Sequence, residues 1–287
     1  MFLITGATGQ LGRAIVHKLI ERVPADQIGV SVRDPSRAAE LAALGVHVRR
    51  GDFSDPAGLQ HAFAGATQLL LVSSNARATG GDTLAQHHNA IAAARAVGVE
   101  RIVYTSQMAA SPASRFPPML DHAATELMLR DSGLRWVAVR HGFYAASGLS
   151  MIADGLARGV LAAPVDGKVA WTAHADLAEA DAIILTEPKH PDGPTAPLTA
   201  SHALDLADLA ALASELQGRP ITRELLTDDD LRATLAARGA PPGTIDLVLG
   251  LYLAARAGEF ATIDPTLERM LGRPPIDMRT LMAQASR

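Results

Sequence analysis

Phe2-Leu3-Ile4-Thr5-Gly6-Ala7-Thr8-Gly9-Gln10-Leu11-Gly12, at the head of a 287-residue chain, decides how the rest is read. The apolar run Phe2–Thr5 predicts a strand. The run Leu11–Arg22, apolar at Leu11, Ile15, Val16, Leu19 and Ile20, predicts an amphipathic helix. A glycine triplet alone is weak evidence, but a strand before it and a helix after it give it the context of a dinucleotide-binding turn. Gly6 permits the tight turn, Gly9 lets backbone approach a pyrophosphate, and Gly12 allows close helix–strand packing. The phosphates would be held by free amides and the helix N-terminus, so no lysine is needed. Thr8, Gln10 and Leu11 complete the loop and are taken as cofactor-binding with the glycines. The competing reading is a glycine-rich turn without a ligand.

Outward from this turn, strands and helices alternate. Strands are expected at Ile28–Val32, Val46–Arg49, Leu69–Val72, Arg101–Thr105 and Trp136–Val139, and helices at Pro35–Leu44, Pro56–Phe63, about 82–97, and Met119–Asp131. Such alternation implies right-handed βαβ units on a parallel sheet. After Arg140 the rhythm changes: helices are expected at 144–158, Asp176–Leu185 and Asp205–Gln217, with short strands at Val169–Trp171 and about 196–199. The prolines Pro241, Pro242, Pro265, Pro274 and Pro275 punctuate a helical tail. The fold class is therefore α/β, a Rossmann-type doubly wound parallel sheet with a smaller, mostly helical C-terminal substrate lobe. Residues 1–143 form the dinucleotide-binding core and 144–287 the lobe, which returns some elements to the core as one integrated unit.

Composition narrows the function. The chain has no cysteine, which excludes a disulfide framework, a cysteine-ligated metal or iron–sulfur site, and a thiol nucleophile. Its formal charge of −4 argues against nucleic acid or an anionic membrane surface as partner. No signal-like or membrane-length apolar segment is present, so a cytoplasmic location is expected. No His/Asp/Glu group has metal-ligand spacing. The partner implied is a small molecule, and monomer and homodimer fit equally.

The second strand decides which dinucleotide is used. A ribose without a 2′-phosphate usually meets Asp or Glu there, whereas a 2′-phosphate needs a cation. Here Val32-Arg33-Asp34 puts Arg33 at that position with Arg37 one turn on, and a guanidinium suits phosphate in shape and charge. NADP(H) is expected over NAD(H), unless Arg33 is merely solvated and Asp34 turns inward. Asp52 and Phe53 after the third strand suit an adenine amino group and ring, although Asp52 equally suits a cap for the helix that follows. Ser73, Ser74, Thr105 and Ser106 end the fourth and fifth strands, within reach of ribose and nicotinamide or as simple turn-formers.

Taken together, Ile4–Gly12, Val32-Arg33-Asp34-Pro35, Gly51-Asp52-Phe53, Tyr104-Thr105-Ser106, His122-Ala-Ala-Thr-Glu126, Ser132-Gly133, Arg140-His-Gly-Phe-Tyr144 and Leu271-Gly-Arg-Pro-Pro275 resemble a known family. It is the NmrA-like branch of the atypical short-chain dehydrogenase/reductases, and within it the bacterial NADPH-dependent quinone oxidoreductases and triphenylmethane reductases. Ordinary short-chain dehydrogenases use a Tyr-x-x-x-Lys pair as proton donor. Here Tyr104, Tyr144 and Tyr252 are followed four residues later by Met108, Gly148 and Arg256, so the pair is absent.

Where NmrA-like relatives often carry lysine, this chain has His122, with Glu126 one turn later to orient it and raise its proton affinity. The other reading of His122 is a loop or ribose anchor. By resemblance, Arg140–Tyr144 shapes the nicotinamide and substrate pocket, with Phe143 beside the cofactor and Tyr144 beside the substrate. Relatives carry a run such as Asn-Gly-Trp-Tyr, so His141 changes the polar group there, and Phe143 and Tyr144 read equally as core residues. His122 and Tyr144 are the catalytic candidates. The resemblance implies a reductase passing hydride to a planar, aromatic, quinone-like acceptor that needs no dedicated acid. It also leaves open a non-catalytic NADP(H)-binding redox sensor, or a reductase of ethers, imines or dyes.

Overall fold

A computed structural model describes residues 1–187 and 189–285. Its central sheet has seven strands in the order β10-β6-β5-β4-β1-β2-β3, where β1 is Phe2–Thr5, β2 Ile28–Val32, β3 His47–Arg50, β4 Gln68–Leu71, β5 Arg101–Gln107, β6 Arg135–His141 and β10 Gly193–Pro194. Pairing is parallel from β3 through β2 and β1 to β4 and β5, and between β6 and β10. Strand order reverses between β1 and β4, which sets the ligand crevice of an open α/β sheet at their carboxyl ends. The first helices are α1 Gln10–Ile20, α2 Ala39–Ala43, α3 Pro56–Phe63, α4 Thr83–Ala96 and α5 Pro117–Asp131.

The chain divides into two compact units. The first comprises Met1–Gln107, Asp121–Arg140 and His174–Ala196. Its core is Leu3, Leu59, Phe63, Leu69, Leu71, Ile102, Tyr104 and Leu129 with small alanines of α4. Continuous apolar strands such as Leu69–Leu71 are fully buried, as a sheet covered on both faces requires. The segment after residue 173 rejoins this unit because helix α7, His174–Thr186, packs on α1. The buried guanidinium of Arg101 clamps the join by donating to the carbonyls of Ile184, Leu185 and Glu187 at the end of α7. It meets the unpaired carbonyls that every helix leaves at its C-terminus.

The second unit comprises Met108–Leu120, His141–Ala173 and the residues from Pro197 onward. It holds the short strands β7 Phe143–Tyr144, β8 Val160–Pro164, β9 Trp171–Thr172 and β11 Thr222–Leu226. Its helices are α6 Ala145–Arg158, α8 Leu206–Gln217, α9 Asp228–Ala237, α10 Pro242–Arg256, α11 Thr266–Leu271 and α12 Met278–Ala285. Trp171, Phe260, Leu209 and Tyr252 lie in its core.

Local differences from the sequence reading have local causes. The helix expected at Pro35–Leu44 is a 3-10 turn, Pro35–Ala38, followed by α2, because Ala38 leaves helical dihedrals at φ −111° and ψ 17°. No strand forms at 196–199; Gly193–Pro194 pairs with Val137 and Ala138 instead, and Leu198 makes only an isolated bridge to His141. The parallel pair β8–β11 is additional.

Candidate active site

The glycine loop begins with Gly6 at φ +64°, a left-handed conformation that disfavours any side chain. Its carbonyl accepts from the Gly9 amide at 2.9 Å. A methyl group on Gly12 would sit 2.8 Å from the Gly6 carbonyl carbon and 3.0 Å from Ala7 Cα, so only glycine lets α1 lie this close to the turn. Helix α1 starts at Gly9 with no side-chain cap and no acidic residue in its first turn. Its first amides and the positive end of its dipole therefore suit an anion. Gly9 and Gln10 are exposed and Thr8 is half-buried, whereas Leu11 is buried, so Leu11 can offer only its backbone.

At the end of β2, Arg33 is exposed and makes no hydrogen bond or ion pair among the described residues. Asp34 is engaged differently. Its carboxylate caps the 3-10 turn, accepting from the Ser36 amide at 3.0 Å and the Ser36 hydroxyl at 2.7 Å. Those bonds, aided by Arg37, hold the carboxyl below its ordinary range. The carboxylate that could have met a bare ribose is thus tied to its own turn, and the neighbouring cation faces solvent.

After β3, Asp52 accepts from the Ser54 amide at 2.9 Å, while the cap of α3 is Asp55, which accepts from Gly58. Asp52 is therefore not the helix cap, and both it and Phe53 are half-buried. Farther along the crevice, hydroxyls stitch the strand ends together. The Val72 amide donates to Thr5, the Ser73 amide to Thr105, and the Ser74 amide to Nε2 of His87. Thr105 and Ser106 are buried, with their hydroxyls engaged inside the unit, and Ser73 and Ser74 are half-buried.

His87 can be assigned a tautomer from its neighbours. The Thr125 hydroxyl donates to the Asp121 carbonyl, so its oxygen accepts from Nδ1 of His87 at 2.8 Å, while Nε2 receives the Ser74 amide. Burial pushes this imidazole down to about 4, so it is neutral at ordinary pH and structural.

His122, on α5, is half-buried, and its Nδ1 lies 2.8 Å from the Tyr104 hydroxyl. Tyr104, on β5, is 0% exposed, with its ring edge-on to His87 and tilted against His122. Burial raises its phenol pKa well above the ordinary value. One turn beyond His122, Glu126 accepts from the Ser106 hydroxyl at 2.6 Å and from both arms of the Arg140 guanidinium. Asp121, just before His122, takes a bidentate contact from Arg77 with both distances 2.6 Å. Helix α5 is thus fastened by two ion pairs on either side of His122. Tyr104 and Arg77 were not site candidates from sequence, and Arg140 was named only as the head of the pocket segment Arg140–Tyr144. Their partners lie 18, 44 and 14 residues away, and no local spacing announces such pairs.

In the second unit, Phe143 is half-buried in a four-ring cluster, with ring centroids 4.8 Å from Phe260, 5.5 Å from Trp171 and 6.1 Å from Phe116. The Tyr144 hydroxyl is 3.4 Å from Nδ1 of His141. Gly142 is required beside them, since a methyl group there would lie 2.9 Å from the Leu198 carbonyl oxygen. Among the described residues, no His/Cys/Asp/Glu group could hold a metal, and no helix is long and apolar enough to cross a membrane.

A doubly wound sheet with this turn at its switch point defines a dinucleotide-binding protein. Residues 6–158 match the family described as NAD(P)H-binding, and the chain belongs to that family. It is 38% identical over 275 residues to quinone oxidoreductase 2 of Escherichia coli, covering 96% of this chain and 94% of the relative. A solved NADPH complex of an Escherichia coli NADPH-dependent quinone oxidoreductase superposes with TM-score 0.93 at 35% identity, covering all of both chains. The Citrobacter sp. triphenylmethane reductase complexed with NADP(H) gives TM-score 0.90 at 29% identity, covering 99% of this chain and all of the other.

Proposed function

We propose that this NAD(P)H-dependent oxidoreductase transfers hydride from NADPH to a flat conjugated acceptor of the quinone kind. The observation that carries the cofactor choice is the Arg33–Asp34 pair: the carboxylate is bound to Ser36 and the guanidinium has no partner among the described residues. A 2′-phosphate on the adenine ribose would meet an available cation and no competing carboxylate. Gly6, Thr8, Gly9, Gln10, Leu11 and Gly12 would hold the pyrophosphate through amides at the uncapped start of α1. Asp52 and Phe53 would flank the adenine, and the Ser73–Ser74 strand end would lie toward the nicotinamide ribose. When bound, the reduced nicotinamide supplies the hydride. The balance is acceptor, NADPH and one proton giving the hydroquinone and NADP⁺.

The acceptor class follows from what the chain lacks and what its relatives reduce. No Tyr-x-x-x-Lys pair exists, and Lys18 and Lys168 are paired with Glu21 and with Asp205 and Asp208. A quinone is electrophilic without such an acid, so the protein's work is orientation and polarisation. Steady-state oxidation of NADPH and NADH by a small benzoquinone tests both parts. Turnover with a clear NADPH preference is expected. Equal use of NADH would overturn the cofactor assignment. No turnover, with different affinities for NADPH and NADP⁺, would overturn the enzyme reading in favour of redox sensing.

A further inference from the structure

We infer that Arg50 is a second specificity-determining residue for the phosphorylated cofactor, reaching the 2′-phosphate of the adenine ribose from the end of β3 while Arg33 reaches it from the end of β2. The inference rests on the cofactor choice proposed above and goes beyond it by giving the phosphate one guanidinium from each of two strands. The register brings the two arginines together. Arg50 pairs with Val32, the residue before Arg33, and the Gly51 amide still donates to the Val32 carbonyl at 3.0 Å. The pairing therefore runs to the carboxyl ends of both strands. Neighbouring strands lie about 4.8 Å apart, so the two arginines leave from adjacent backbone.

The face is fixed as well. The step from β2 to β3 runs one way across the sheet, and the step from β3 to β4 runs the other. Right-handed crossovers therefore set the 3-10 turn Pro35–Ala38 and α2 on one face and α3 on the opposite one. Arg49 points to the α3 face, donating to the carbonyls of Ala62 and Ala64 at 2.9 and 2.6 Å. Gly51 lies on that face too, since a methyl group there would sit 3.1 Å from Ala62 Cβ. Alternation along the strand turns Arg50 to the other face, where the 3-10 turn that follows Arg33 and Asp34 packs against β3. Arg50 is exposed and its side chain makes no hydrogen bond or ion pair among the described residues. The carboxylates around it are engaged elsewhere: Asp34 serves Ser36, Glu40 pairs with Arg13 at 2.9 Å, and Asp52 accepts from Ser54.

A phosphate monoester carries about 1.5–2 negative charges at neutral pH and three terminal oxygens. One guanidinium fork covers two oxygens and one charge. Arg33 thus leaves an oxygen and part of the charge for a second cation. An unphosphorylated ribose offers neither, so Arg50 adds to the preference for NADPH.

Calorimetric titration of the full chain with 2′,5′-ADP and 5′-AMP tests this. In Arg50→Gln, 2′,5′-ADP should bind about fivefold more weakly with a shallower salt dependence, and 5′-AMP should bind as before, at an unchanged unfolding midpoint. Arg50→Lys should recover part of the loss, because it restores the charge without the fork. Arg33→Gln should keep a residual preference for 2′,5′-ADP of about fivefold, which Arg33→Gln/Arg50→Gln erases. Arg95→Gln, in the last turn of α4 and so at the opposite end of the sheet, removes the same charge and should change neither affinity. Unchanged 2′,5′-ADP affinity in Arg50→Gln would overturn the inference and leave Arg50 as a charge guarding an exposed edge strand. Equal loss for both nucleotides, or an equal loss in Arg95→Gln, would overturn it too. A wild type that binds 2′,5′-ADP no better than 5′-AMP would instead overturn the cofactor choice on which the inference rests.

Discussion

The Arg140 guanidinium grips both carboxylate oxygens of Glu126, with Nε 3.0 Å from Oε1 and Nη2 2.7 Å from Oε2. The pair ties β6 to α5 one turn past His122, and Ser106 on β5 adds a third donor. Its side chains are 28% and 10% exposed, so the charges are partly withdrawn from water. Such a pair adds little over a hydrophobic substitute, but breaking it leaves an uncompensated charge.

Glu126→Ala should therefore cost about 3 kcal/mol of stability. Measured by urea unfolding, the double variant Glu126→Ala/Arg140→Met should be less destabilised than the sum of the single variants, because the stranded guanidinium is gone. Strict additivity would show that the two side chains do not act as a unit.

His87 makes a pH prediction. Its folded value of about 4 lies below the ordinary 6.5 because burial penalises the charged form. Between those values the unfolded chain binds a proton that the folded chain does not, so stability rises with pH. The contribution is complete above about pH 6.5 and is lost as the pH falls toward 4, reaching about 3 kcal/mol. His87→Gln keeps an acceptor for Ser74 and a donor for Thr125 while removing the titration. Unfolding midpoints from pH 7 to 4 should therefore fall more steeply in the wild type than in the variant. Parallel slopes would place the acid sensitivity elsewhere.

The halves of this chain differ in how far residues announce their structure. Strands such as Leu69–Leu71 are read directly, because burial on both faces demands an unbroken apolar run. Asp34 and Asp82 cap the turns that follow them, each by accepting a backbone amide, which is a role that short acidic side chains fill locally. The β8–β11 pair was not. Its strands lie about 60 residues apart, and Thr222, Glu224 and Leu225 are exposed, so neither locality nor alternation marks them. The glycine loop and Arg33 could be singled out because their chemistry is encoded within a few residues. The Tyr104–His122 contact joins a strand to a helix and exists only once the sheet has formed.

The two glycines at the start of α1 should fail differently. Gly12→Ala pushes a methyl group into the backbone of Gly6 and Ala7, so it should destabilise the fold by about 1–3 kcal/mol. Gly9→Ala meets only the Gly6 carbonyl oxygen, at 3.3 Å, and its backbone is already extended at φ −84° and ψ 168°, so the fold should tolerate it. Its methyl group would instead stand where a pyrophosphate must approach. Thermal melting should show a large loss for Gly12→Ala and a small one for Gly9→Ala, while NADPH fluorescence titration should show at least about tenfold weaker binding for Gly9→Ala. Wild-type NADPH affinity in Gly9→Ala would remove the loop from the cofactor site.

Cofactor selectivity should reside in Arg33 and be indifferent to Asp34. If the exposed guanidinium meets a 2′-phosphate, Arg33→Gln removes a charge-assisted contact worth about 1.5–3 kcal/mol, so kcat/KM for NADPH should fall about 10- to 100-fold. The value for NADH should stay within about twofold, since the unphosphorylated ribose makes no such contact. Asp34→Ala should alter neither, because its carboxylate already serves Ser36. Calorimetric titration with 2′,5′-ADP and with 5′-AMP separates phosphate recognition from catalysis: only the former should lose affinity in Arg33→Gln, and its wild-type binding should weaken as salt screens the charges. Equal loss for both nucleotides would mean that Arg33 supports the adenosine pocket as a whole and does not read the 2′-phosphate.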